Sequence, residues 1–193
     1  MLKMAKNCNF FVVFLTYKRY NIRMIKEYKG ESLMLSIIVT KASNNIIGKD
    51  NRKPWKLPKD DEHFDELTKG KVIILGRKAF EALDEVLPDR TYVVMTENRE
   101  LKFPQENVQI VHSMLELQGY IEDENENFVA GGAMIYNLFM RHVNKLYVTE
   151  LDKDFTGDSL FPRINDEVWE ETSRSEEIEE EGIKFQFVEY VRK

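Results

Sequence analysis

The sequence predicts an α/β domain built on a mainly parallel central sheet, and three observations predict it. From residue 34 onward, short β-branched and aromatic runs alternate with stretches of helical spacing. The early runs are almost continuously apolar, as strands covered on both faces are. The last run, Ile183–Val191, instead alternates, with Phe185 and Phe187 set against Lys184 and Gln186. That pattern belongs to an antiparallel or edge strand.

Strands are expected at Leu35–Thr40, Val72–Leu75, Thr91–Thr96, Val108–His112, Phe128–Ala130, Lys145–Leu151 and Ile183–Val191. Helices are expected at Pro58–Lys69, Arg77–Leu83, Met114–Tyr120 and Ala133–His142. Pro58 suits the first turn of its helix, where a missing N–H costs nothing. The acidic run Glu176–Glu181 reads as a solvated hairpin turn beside Gly182. No linker or internal repeat divides the chain after Met34, so one domain is expected there. In parallel sheets ligands bind at the carboxyl ends of the strands, which directs attention to the loops that follow them.

Composition narrows the function. The 193 residues are 42% hydrophobic and 32% charged, as in a globular protein. Cys8 is the one cysteine, which excludes an internal disulfide and a cysteine-cluster metal site. His63, His112 and His142 lack metal-ligand spacing, and no activated Ser or Cys nucleophile is evident. The net charge of −6 disfavours non-specific nucleic-acid binding.

That charge is unevenly divided. Residues 1–33 hold seven basic and two acidic residues, whereas 34–193 hold 21 basic and 32 acidic residues, a net −11. The apolar run Phe10–Leu15 is too short to cross a bilayer as a helix. It is followed by Lys18-Arg19 with no small-residue cleavage site, unlike a signal peptide. A basic, aromatic membrane-surface segment is another reading of this stretch. Two further readings stand for 1–33: a disordered or loosely docked tail, or a translated upstream region before a true start at Met34. The second rests on Lys29-Gly30-Glu31, which can be encoded by a purine tract resembling a bacterial ribosome-binding site.

The segment 45–64, NIIGKDNRKPWKLPKDDEHF, carries most of the chemistry. Asp60, Phe64 and Leu67 share one helix face, so the Asp60 carboxylate points toward an apolar wall. Desolvation there favours the neutral acid and poises it for hydrogen bonding or proton chemistry; a helix-dipole role is the plainer alternative. Asp61 reads as a solvated first-turn acid. Two strand-to-helix turns, at Gly76-Arg77-Lys78 and Gly131-Gly132-Ala133, offer backbone N–H groups to anions, or serve tight packing. Neither fits a dinucleotide or P-loop fingerprint. Arg90, just before a strand, could grip a carboxylate bidentately.

Taken in order, these residues resemble the dihydrofolate reductase family over essentially all of 34–193. The resemblance rests on the strand and Ile-Gly turn of Ser36–Gly48 and on Pro54-Trp55-Lys56-Leu57-Pro58-Lys59-Asp60. It continues through Gly76-Arg77, Leu87–Arg90, Gly131–Tyr136, Leu146–Thr149, Gly157-Asp158 and Phe161-Pro162. The resemblance implies eight strands, an antiparallel last strand and about four flanking helices. It implies reduction of 7,8-dihydrofolate to 5,6,7,8-tetrahydrofolate with hydride from NADPH and no metal. Asp60 would bind the pterin and assist its protonation, Thr149 would support that carboxylate, and Trp55 would order a water. Val39 and Ala130 would offer carbonyls to the pterin. Phe64, Leu83 and Leu87 would hold the aminobenzoyl group, and Arg90 the glutamate carboxylate. Thr40, Ile47, Gly48, Gly131, Gly132, Ala133 and Tyr136 would line the cofactor, with Gly76, Arg77, Lys78 and Thr96 near its phosphates. The loop Ile47–Trp55 would close over the nicotinamide.

This chain departs from the family at Ala79, Met134 and Glu97, which leaves Arg77 and Lys78 as the main basis for choosing NADPH over NADH. Lys53 stands at the loop tip where an apolar residue is common. Two alternatives have the same fold: a reductase of another pterin or pyrimidine, and a non-catalytic nucleotide-binding or structural protein. Arg90 argues against the first and Asp60 with Trp55 against the second. A cytoplasmic monomer acting on a small molecule, with no nucleic-acid or membrane partner for the body, is expected.

Overall fold

The computed structural model describes residues 35–121 and 125–193. All the readings of residues 1–33, and the position of Met34 itself, lie outside the described residues. The chain divides into two units at that point, Met1–Leu33 and Met34–Lys193, and the second holds everything below.

Its strands are β1 (Leu35–Lys41), β2 (Ile46–Gly48), β3 (Val72–Gly76), β4 (Thr91–Met95), β5 (Val108–Val111), β6 (Asn127–Val129), β7 (Lys145–Leu151), β8 (Ser159–Leu160), β9 (Trp169–Arg174), β10 (Ile178–Glu180) and β11 (Ile183–Arg192). The helices are α1 (Pro58–Thr68), α2 (Arg77–Glu81), α3 (Gln118–Ile121) and α4 (Ala133–Phe139). The main sheet runs β10-β11-β7-β1-β6-β3-β4-β5, and β9 makes it nine-stranded by pairing with β11. Strands β7, β1, β6, β3, β4 and β5 are mutually parallel. β11 runs antiparallel to β7, as its alternating sequence predicts. Its other edge is shared, with β10 taking Ile183–Phe185 and β9 taking Val188–Arg192.

Central strands are buried on both faces, which is why they read as unbroken apolar runs. Ile37, Ile73, Ile74, Val93, Phe128 and Val129 are fully shielded from solvent. α4 covers one face through Ile135, Tyr136 and Phe139, which join Ile37, Val39 and Val148 in the largest core cluster. Phe64 and Leu67 of α1 pack on the opposite face against Ile38, Phe128 and Tyr147.

The expected eight strands form the path from β10 to β5, and β9 adds to it beside β11; with only Trp169 buried, β9 lacks the alternation that marks a strand in the sequence. Three expectations change. The acidic run is not all turn: Ile178–Glu180 pairs with Ile183–Phe185, and the turn itself is Glu181-Gly182. The helix expected over Met114–Tyr120 is confined to Gln118–Ile121, since Glu116 folds back to accept bonds from Ser113 Oγ and the His112 N–H. The helix expected to reach His142 ends at Phe139.

The polar stretch after β2 is also more ordered than a loop. Lys49 and Arg52 exchange backbone hydrogen bonds of 2.9 Å around Asp50 and Asn51, both with positive φ. Asp and Asn tolerate that conformation, and the pair forms a two-residue hairpin turn. The Asp50 N–H donates to Asp158 Oδ2 (3.1 Å) and the Asp158 N–H to the Gly48 carbonyl (3.1 Å), tying the hairpin to the segment before β8.

Candidate active site

The carboxyl end of β1 and the first turn of α1 bring Thr40 and Asp60 together. Asp60 is 4% exposed. Pro58 opens α1 and places Asp60 in the first turn, on the face that also carries Phe64. The Thr40 hydroxyl at the end of β1 lies 2.8 Å and 2.7 Å from the two Asp60 oxygens and donates to them. Such charge-assisted bonds compensate a buried carboxylate for the water it has lost.

Lys53 follows the hairpin turn and reaches the same acid. Its Nζ lies 2.6 Å from Asp61 Oδ1 and 3.4 Å from Asp60 Oδ2. Burial works against its charge, yet the Asp60 and Asp61 carboxylates outweigh burial and hold Lys53 above the usual lysine range. His63, stacked on Phe187 at 3.9 Å, is shifted the other way by burial and so adds no cation at neutral pH.

Trp55 is buried and packs edge-on to Phe155 at 5.0 Å. Its Nε1 is the one buried side-chain polar atom without a hydrogen-bond partner among the described residues. Tyr136 donates to the Ile38 carbonyl at 2.8 Å and stands edge-on to Phe161 at 5.0 Å. Burial pushes its phenol far above the usual range, so it stays a neutral donor.

Gly131 and Gly132 are joined by a cis peptide, and the Gly76 N–H donates to the Gly131 carbonyl at 2.7 Å. This bond draws the two strand-to-helix turns together at the ends of β3 and β6. Gly131 has φ +115°, and a Cβ there would also crowd the Tyr136 hydroxyl at 3.3 Å. A Cβ on Gly132 would meet open space, so a ligand can approach its backbone.

Arg90 forms a second charged centre. Its side chain is 3% exposed; Nε donates to Asp89 Oδ1 (3.0 Å), and Nη1 to Asp65 Oδ1 (3.0 Å) and Thr68 Oγ1 (2.8 Å). Asp65 and Thr68 come from the last turns of α1, so one helix carries Asp60 near its start and the anchors of Arg90 near its end.

A family model described as dihydrofolate reductase matches residues 34–192. The chain belongs to the dihydrofolate reductase family. A dihydrofolate reductase of Staphylococcus haemolyticus is 36% identical over 155 residues, covering 80% of this chain and 92% of that protein. One from Haemophilus influenzae is 38% identical over 138 residues, covering 72% and 84% respectively. The solved structure of dihydrofolate reductase from Enterococcus faecalis complexed with NADP(H) and RAB-propyl superposes with a TM-score of 0.73 at 30% identity. That match covers 83% of this chain and 98% of that one.

The other residues singled out for the reductase site fall as follows. Val39 is buried on β1, Ala130 follows β6, and Phe64, Leu83 and Ala130 pack against the cluster around Ile73, Leu75 and Phe80. Leu87 is half-buried, and its carbonyl accepts from Asn107 Nδ2 at 2.8 Å. Ile47 is half-buried and Gly48 buried in β2. Ala133 opens α4. Thr96 follows β4, where its hydroxyl accepts from the Asn98 N–H. Gly76 and Arg77 form the turn into α2; Lys78 is exposed, and Arg77 Nη1 is paired with Glu81 at 2.6 Å.

Thr149 is buried on β7 and is the register partner of Thr40 on β1. Thr149 is expected to support the Asp60 carboxylate; the hydrogen bonds the structure gives that carboxylate from a threonine come from Thr40, at the end of β1. This role for Thr40, and those of Lys53, Asp65 and Thr68, escaped the sequence reading. Pairing a strand residue with a distant helix residue needs the tertiary register, and no local pattern encodes it.

Proposed function

We propose that Asp60 is the acid through which this enzyme binds its substrate and promotes its protonation. The enzyme reduces 7,8-dihydrofolate to 5,6,7,8-tetrahydrofolate with NADPH. The observation that carries the Asp60 reading is a nearly buried carboxylate, hydrogen-bonded through Thr40, at the sheet end where family ligands bind. There it accepts the amino and ring N–H donors of the pterin. A negative charge at that edge favours a proton on the adjacent imine nitrogen, which makes the neighbouring carbon the better hydride acceptor. Phe64, Leu83 and Leu87 shield the aminobenzoyl group, and Arg90 holds the glutamate α-carboxylate. Val39 and Ala130 offer carbonyls to the pterin, and the Trp55 N–H supplies a donor for an ordered water. Thr149 acts behind Thr40 rather than on the acid itself.

The residues present fit NADPH. The open backbone at Gly132 leaves room for its close approach, and the cations Arg77 and Lys78 on the α2 turn suit its phosphates. When bound it supplies the hydride. Thr40, Ile47, Gly48, Gly131, Gly132, Ala133 and Tyr136 would line its nicotinamide end, with Gly76, Arg77, Lys78 and Thr96 toward its phosphates. The Lys49–Arg52 hairpin excludes water from the reacting edge.

We further take 34–193 as the catalytic unit, working as a cytoplasmic monomer on small molecules. Its net charge of −11 opposes nucleic-acid binding. Asp60→Asn tests the central reading: at neutral pH it should lower kcat/KM for dihydrofolate by about 10²–10⁴-fold, with the melting temperature little changed. NADPH oxidation by this variant at near-normal rate would defeat the assignment.

A further inference from the structure

Two of the three guanidinium nitrogens of Arg90, Nε and Nη1, are already paired within the protein. Arg90 Nη1 donates to Asp65 Oδ1 at 3.0 Å, and Nε donates to Asp89 Oδ1 at 3.0 Å. The two acids differ in what they can do. Asp89 is the chain neighbour of Arg90, fixed beside it by the backbone. Asp65 belongs to α1, and its side chain is 54% exposed to solvent. Thr68 Oγ1 holds the same nitrogen from the inside at 2.8 Å, while its own hydrogen is given to the Phe64 carbonyl at 2.7 Å. Arg90 therefore keeps its position without Asp65. The Asp65 carboxylate is chemically the same group as the substrate's α-carboxylate, presented to the same guanidinium.

We propose that Asp65 is a specificity-determining residue of the reduction: its carboxylate stands in for the substrate's α-carboxylate on Arg90 and must yield when an acidic tail binds. The inference rests on the reading of Arg90 as the tail anchor. Bringing a tail carboxylate to Arg90 forces Asp65 either to turn outward into water or to remain as a second negative charge beside it. Both routes weaken binding of a substrate with an acidic tail, and neither touches the pterin end at Asp60. The enzyme consequently discriminates less strongly in favour of the glutamate-bearing substrate than its buried arginine alone would allow. Because Asp65 is half in water, its effect is screened and moderate.

The test is Asp65→Asn in the full chain, assayed by NADPH oxidation with dihydrofolate and with 6-methyl-7,8-dihydropterin, which has no tail. Asparagine keeps an oxygen acceptor for Arg90 Nη1 and removes only the charge. The expected result is a fall in KM for dihydrofolate of roughly three- to ten-fold at low salt, with kcat unchanged. The difference should shrink as salt rises, and the kcat/KM for the tail-less pterin should stay within about two-fold. An unchanged or raised KM for dihydrofolate would overturn the proposal. So would an equal change for both substrates, because a general effect on α1 would act on each. Asp65→Gln supplies the same comparison should the asparagine variant fold poorly. Arg90→Lys separates the underlying reading: it keeps the charge but loses the planar fork, so dihydrofolate should bind more weakly. No change in Arg90→Lys would sink the tail anchor itself, whereas weakened binding there with no gain in Asp65→Asn sinks only the role of Asp65.

Discussion

Lys53 shows how a single side chain alters a site whose outline the motif already carries. Its ammonium lies between Asp61 and Asp60, and the other titratable groups near Asp60 are Asp61 and His63 on α1 and the Tyr136 phenol on α4. Histidine and tyrosine are both neutral near pH 7, which leaves Lys53 as the cation that faces Asp60. The two carboxylates in turn hold Lys53 charged above the usual lysine range, so the pairing adds stability wherever an unfolded lysine is still charged and loses it as pH rises through that raised range. In Lys53→Met the melting temperature should fall slightly below the wild type at neutral pH and the difference should vanish at strongly alkaline pH, while Lys53→Arg should leave it in place. Equal melting temperatures at neutral pH would mean that the pairing adds nothing to the hold on the hairpin. At this scale the sequence exposes the acid, the tryptophan and the arginine, because each stands in a short local motif. Thr40 and Asp65 were hidden because their partners lie 20 and 25 residues away.

Elements repeat the same division. The parallel strands are legible because burial on both faces makes them apolar throughout, as in Val72–Leu75 and Thr91–Met95. β8 is two residues long and β9 buries one, so neither leaves a periodic trace. What fixes β8 is a close approach that only glycine permits. A Cβ on Gly157 would lie 2.3 Å from the Gly48 carbonyl oxygen and 2.5 Å from Ile46 Cγ2. One clash is with backbone and the other with a buried side chain, so neither partner can give way cheaply. Gly157→Ala should force apart β2 and the segment before β8, at a cost of about 1–3 kcal/mol. Thermal unfolding should show the loss as a melting temperature several degrees lower. The Asp50–Asp158 contact that holds the hairpin lies beside this point, so KM values should rise as well. Wild-type stability in this variant would show that β2 and β8 can separate freely.

On the scale of the whole molecule, charge and chemistry divide at the same place. Residues 34–193 carry −11 and contain every group assigned to the reaction, whereas 1–33 carry +5 and contain none. The family match begins at residue 34, and the Staphylococcus haemolyticus relative is covered over 92% of its own length. Residues 34–193 have their own core and their own sheet and are of a size that folds alone. A chain beginning at Met34 should accordingly keep kcat and both KM values within about two-fold, and its melting temperature should be unchanged within a few degrees. Electrostatics supply the finer expectation. Dihydrofolate and NADPH are both anions, and removing a +5 segment makes the protein more repellent to them at long range. Any rise in KM should therefore appear at low ionic strength and vanish once the Debye length falls to about 8 Å at physiological salt. A loss of activity that salt does not restore would mean that residues 1–33 take part in the fold or the site, and that the catalytic unit starts before Met34.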